Sequence, residues 1–172
     1  LGYEQVRMIV TRALLDKQFD SGSPVLRDAM IRSFFSAVLA KNLATCTGFR
    51  GAADAFTCAM FHDLGRTLAI HYFDEEFATI QSYAANQPTD ELTASREILG
   101  IPYHELGSDV ALEWKFPPSF IRAMAPLARG EIQANEDDEA QLVFIAAFAN
   151  ALCNAGLRPE LEDANAAIRD LL

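Results

Sequence analysis

A histidine and an aspartate stand side by side, His62-Asp63, at the end of the apolar run Thr57-Cys58-Ala59-Met60-Phe61, and Leu64-Gly65-Arg66 follows. Imidazole and carboxylate at a helix end can serve as metal ligands, as an acid/base pair, or as a buried hydrogen-bonded cluster. Neighbours on a helix point about 100° apart, so both reach one ion only where it sits at the helix end between them. Two protein ligands are too few for a zinc-like site, which needs at least three. His71, beside Tyr72 and Phe73, reads as a surface or packing histidine. His104, in Tyr103-His104-Glu105-Leu106-Gly107, opens a helix and is the better third donor. Ligand count alone favours the hydrogen-bonded cluster.

The other reactive side chains point nowhere in particular. Cys46, Cys58 and Cys153 form no CxxC pair and read as reduced, buried thiols of a cytoplasmic protein. The 172 residues are enough for one well-buried core, and the 51% hydrophobic content argues against disorder. A net charge of −10 repels nucleic acid and anionic membranes, so neither is an expected partner. The longest apolar run, Leu142 to Cys153, is interrupted by Asn150 and is too short to span a bilayer. The start, Leu1-Gly2-Tyr3-Glu4, lacks an initiator Met and a signal-peptide pattern, and reads as part of a longer chain.

The elements that must position the pair are helices. Val6, Ile9, Val10, Ala13 and Leu14 recur at helical spacing from Tyr3 to Phe19. Ser23-Pro24 opens a second helix that runs through Phe34, Phe35, Val38, Leu39 and Leu43 to Gly48. Apolar on more than one face, it is expected to lie centrally. A third helix starts near Ala52 and carries His62-Asp63 at its end, with Gly65 as the break and a short helix from Thr67 to Phe73. Further helices follow Asp74, Thr89 or Asp90, Tyr103 and Pro118; Gly130 to Glu139, with five carboxylates, reads as a loop. Gln141 to Cys153 and a segment from Pro159 complete the chain. No period-two run or hairpin turn pair appears, so the fold class is all-α: a single domain, residues 1–172, of about eight or nine short helices.

The doublet, followed by Glu97-Ile98-Leu99-Gly100, His104-Glu105-Leu106-Gly107 and Trp114-Lys115-Phe116-Pro117, resembles the HDOD domain, a bacterial regulatory relative of the HD-type metal-dependent phosphohydrolases. The opening Leu1-Gly2-Tyr3-Glu4-Gln5-Val6-Arg7 resembles a mid-domain helix of that family, so the family's more N-terminal helices are expected to be lacking. Their lack would leave apolar surface on the first two helices open to a partner.

Catalytic relatives hold metal with an early helical histidine, the His-Asp pair and a late helical aspartate. The resemblance assigns the pair to His62 and Asp63, puts Phe35 in the early histidine's place and Asn150 in the late aspartate's. A phenyl ring cannot ligate, and an amide oxygen is a weaker donor than a carboxylate. The resemblance therefore implies a degenerate site with no metal or other cofactor and no catalysis, made of His62, Asp63, Arg66, His104 and Asn150. Arg66 stands where relatives often carry a phosphate-binding lysine, although contact with the helix C-terminal carbonyls is the simpler reading. Trp114 is expected to anchor the core. The implied role is a signalling module acting on a protein partner, an adjoining signalling domain, a small ligand or a second copy. The alternative is a phosphohydrolase or phosphodiesterase using His62, Asp63 and His104.

Overall fold

The computed structural model describes residues 23–125 and 137–156, and among them every regular element is a helix. The expected helices over residues 3–19 and from 159 onward lie outside the described residues. Eight helices are described: α1 Pro24–Thr47, α2 Ala52–Phe61, α3 Leu64–Tyr72, α4 Asp74–Asn86, α5 Glu91–Leu99, α6 Tyr103–Glu113, α7 Pro118–Arg122 and α8 Asp138–Gly156.

Local chemistry sets most of their ends. The Ser23 hydroxyl accepts the Leu26 amide at 3.3 Å, and Pro24 occupies the first turn, where no amide donor is needed. Gly48 and Gly100, both at φ 76°, end α1 and α5 in the left-handed conformation that glycine adopts without strain. Asp90 caps α5, its carboxylate accepting the Thr93 amide at 2.7 Å, which also holds its pKa below the ordinary value. The acidic stretch before α8 was expected to be loop, but the helix starts at Asp138. Asp137 takes the Glu139 amide on its carboxylate at 3.1 Å and the Gln141 amide on its carbonyl at 3.0 Å. Carboxylates satisfy the free amides of a first turn and favour its positive end, so this charge run begins a helix.

The longest helix, α1, runs through the middle of the bundle and contributes to three apolar clusters. Ala40 and Ala44 pack with Ala55, Cys58 and Ala59 of α2 and with Leu142, Ile145, Ala146 and Ala149 of α8. Leu26 and Ala29 meet Ile70, Phe77, Ile80 and Tyr103 at one end, while Ala37 joins Met60, Phe61, Leu64, Ala111 and Met124. The central position matches the expectation, but its basis differs. Beyond Leu26, the inward face of α1 is made of small residues, including buried Ser33 and Ser36, which let α2 and α8 approach closely. Its large apolar residues Val25, Ile31, Phe34, Phe35 and Val38 are 36% to 55% exposed.

One anchor differs from expectation. Trp114 is 45% exposed and does not anchor the core. Phe116 does so, with its ring 5.2 Å from Phe61, 6.4 Å from Phe120 and 6.1 Å from Trp114. The chain turns into this contact at Lys115, whose φ of 58° is a left-handed conformation unusual for a side-chain-bearing residue. Cys58 alone is buried; Cys153 is half-buried and Cys46 exposed, so the expectation of three buried thiols does not hold for Cys46. No described helix is long and apolar enough to cross a membrane.

Candidate functional site

The break between α2 and α3 falls on the doublet itself. His62 closes α2, Asp63 precedes α3, and Gly65 lies in the first turn of α3 instead of breaking the chain. The glycine answers to tertiary packing. A Cβ added at Gly65 would run into the Tyr103 carbonyl and lie 2.7 Å from the Gly107 nitrogen; one at Gly107 would lie 2.8 Å from the Gly65 nitrogen. Here α3 and α6 cross backbone against backbone, which only two facing glycines permit.

Within the doublet, His62 Nδ1 and Asp63 Oδ1 lie 3.1 Å apart, and Asp63 accepts the bond. The Asp63 carbonyl also receives the Thr67 amide and hydroxyl, each at 3.0 Å, so the aspartate's backbone starts α3. Burial works against charge on the Asp63 carboxyl. The His62 hydrogen bond, the His62 and Arg66 charges and the Asn154 amide outweigh it and hold the pKa below the ordinary aspartate value. Asn154, one turn beyond Asn150, is the α8 residue among these influences on Asp63, and the sequence reading missed it.

Asn150 is 2% exposed and has a different task. Its amide nitrogen donates to the Ala59 carbonyl at 3.0 Å and to the Ala146 carbonyl at 2.9 Å. Ala59 sits in the last turn of α2, where carbonyls lose their in-helix partners. Asn150 therefore ties α8 to the end of α2, just before the doublet. The position expected to hold a metal-binding carboxylate holds a hydrogen-bond donor whose job needs its N–H groups.

Arg66 does not cap the helix carbonyls. Its Nε donates to Glu91 Oε1 at 2.7 Å, and its guanidinium lies 5.2 Å from the centre of the Phe77 ring. Glu91 was not legible in advance, since 25 residues separate the partners. The Glu91 carboxylate also faces Tyr103; burial first, then this charge, pushes the Tyr103 phenol well above its usual range. Arg66, Glu91, Phe77 and Tyr103 thus join α3, α4, α5 and α6 around one partly buried charge pair.

His104 is not bonded to the doublet. Its Nε2 is 3.9 Å from Glu105 Oε1, and its Nδ1 is buried without a hydrogen-bond partner. His71 is exposed and stacks edge-on against Tyr72 at 4.5 Å. Phe35, expected at the early histidine's place, points away from the core at 55% exposure; Ser33, Ser36 and Ala37 face inward instead. Among the described residues no three His, Cys, Asp or Glu side chains converge to hold a metal ion. Among the described residues the doublet thus brings together two donors, His62 and Asp63. An open cleft of about 500 Å³ lies elsewhere, between the α1–α2 turn and α7 and α8, and none of the five expected site residues lines it.

The HDOD domain family model matches residues 1–128. Among solved structures, the crystal structure of an HDOD domain protein with unknown function from Geobacter sulfurreducens has a TM-score of 0.64 at 20% identity, covering 83% of this chain and 52% of that one. A "putative phosphohydrolase" from Shewanella amazonensis SB2B has a TM-score of 0.64 at 22% identity, covering 88% of this chain and 54% of that one. The chain spans about half the length of these structures, and at such identities the likeness concerns the fold. No curated protein matches the chain significantly.

Proposed function

Because the chain belongs to the HDOD domain family, we propose that it is a non-catalytic regulatory module of bacterial signalling, acting through a protein partner or a small ligand. The observation that carries this reading is the Asn150 amide, which donates to the Ala59 and Ala146 carbonyls. A side chain held by two acceptors through its nitrogen is a strut between α2 and α8. His62 and Asp63 bond to each other and shape the turn between α2 and α3. With only these two donors together among the described residues, the set falls short of the three that a catalytic metal needs to activate a water, which supports the non-catalytic reading. A regulatory ligand would bind beside the doublet, next to Arg66, whose Nε is held by Glu91. The module works in the cytoplasm.

The test is metal analysis of the purified protein together with phosphodiesterase assays in added Mn²⁺. The expected result is substoichiometric metal and no turnover above buffer. Stoichiometric metal that disappears in His62→Ala would overturn the reading. One observation favours a second reading, a phosphohydrolase using His62, Asp63 and His104: the buried Nδ1 of His104 has no hydrogen-bond partner. Under it, His104→Ala loses metal together with His62→Ala.

A further inference from the structure

We propose that the outer face of α1 is the contact of a homodimer, in which α1 packs antiparallel against α1 of a second copy. Ile31, Phe34, Phe35 and Val38 form a contiguous exposed apolar patch at helical neighbour spacing, on the side of α1 opposite Ala37, Ala40 and Ala44. Phe34 is braced from below by the edge of Phe56, with ring centres 6.2 Å apart, so the patch stands on a firm base. A patch of four large apolar side chains on one helix marks a surface that another body covers.

The pattern of residues says which body. Most homo-oligomers are two-fold symmetric, and a two-fold contact requires a surface complementary to itself. A dyad crossing α1 between Phe34 and Phe35 sets Phe34 against the partner's Phe35 and Ile31 against the partner's Val38. The same dyad sets Asp28 against the partner's Lys41, and by symmetry Lys41 against the partner's Asp28. Aromatic meets aromatic at the centre, aliphatic meets aliphatic beside it, and opposite charges close both ends. All of these residues are exposed in the single chain. Ile31 with Phe35, and Phe34 with Val38, are i,i+4 ridges, the kind that interdigitate when two helices cross.

Net charge points the same way. Two copies of a chain carrying −10 repel each other over most orientations. The α1 helix, however, carries Arg27, Arg32 and Lys41 against one acid, Asp28. In the antiparallel pairing the two Asp28–Lys41 contacts offset this repulsion where the copies meet. The contact does not depend on the regulatory reading, and either can fail without the other.

The test is sedimentation equilibrium of the full chain, with far-UV circular dichroism as the check on folding. Wild type is expected to dimerise, and Phe35→Glu to be a folded monomer. Asp28→Lys and Lys41→Asp each place two like-charge pairs in the dimer and are expected to weaken it about tenfold. An equimolar mixture of the two charge variants recovers wild-type affinity, because in the mixed dimer Lys faces Lys at neither end. Recovery on mixing distinguishes this antiparallel pairing from any other use of the face. A monomeric wild type at high micromolar concentration overturns the proposal. So does an undiminished dimer in Phe35→Glu, or a charge-variant mixture that dimerises no better than its components.

Discussion

Asn150 and Phe35 break the same rule in opposite directions. One is an amide at 2% exposure in the interior; the other is a phenyl ring at 55% exposure on the surface. The amide is fully employed within the chain, holding the carbonyls of Ala59 and Ala146. The ring lies on an apolar face that the rest of the described structure leaves uncovered. Burial of a polar group is tolerated when its bonds are replaced, so it reports on architecture. Exposure of grouped apolar side chains gains nothing for the isolated fold, so it reports on what the fold meets. Residues that look chemical need not be the working ones, and those that look structural can be.

Substitutions at the two regions separate these roles. The largest effect is expected at the interior crossing. Gly65→Ala drives a methyl group into the Tyr103 carbonyl, backbone that cannot step aside, and should cost more than about 3 kcal/mol or abolish folding, as read by urea denaturation. Asn150→Asp restores the carboxylate of the catalytic relatives and should nevertheless destabilise by about 3 kcal/mol at neutral pH, because an acceptor then faces two acceptors. Its buried carboxyl should have a raised pKa, so the penalty shrinks as the pH falls and a proton returns one donor. If Asn150→Asp is neutral in stability and gains metal, the strut interpretation fails.

A smaller and pH-dependent effect belongs to Asp63. Its folded pKa is below the unfolded value, so its contribution is complete above about pH 4 and is lost as the pH falls through the folded value. Urea midpoints measured from neutral to acid pH should therefore drop less steeply for Asp63→Asn than for wild type. The smallest effect is expected at the outer face: Phe35→Ser, measured on dilute monomer, should change stability by less than about 0.5 kcal/mol. A loss of several times that amount would mean the ring is part of the core after all.

Much of this fold was legible from the sequence because helix ends are local. Ser23-Pro24, Gly48, Asp90 and Gly100 each act on backbone groups a few residues away, and each marks its boundary in the structure. The HDOD resemblance was legible too, carried by short motifs along the chain. What depended on distant partners was not. Gly65 reads as a helix breaker because the sequence does not show Gly107 coming up against it. Asn150 reads as a lost ligand because its acceptor, Ala59, is 91 residues away. The α1 helix misleads for a different reason. Hydropathy weights Phe above Ala and Ser, whereas close helix packing selects for small side chains, so the buried face is the less hydrophobic one. Glu91 and Asn154 gave no local signal of their own.

The glycine crossing has a mechanical consequence. Where side chains separate two helices, the helices can slide by exchanging rotamers; at Gly65 and Gly107 there are none to exchange. The crossing is therefore a fixed point, since no rotamer change can alter how near the two backbones lie. Asp63, just before α3, and Arg66, within it, flank Gly65, so the polar junction is anchored at this point.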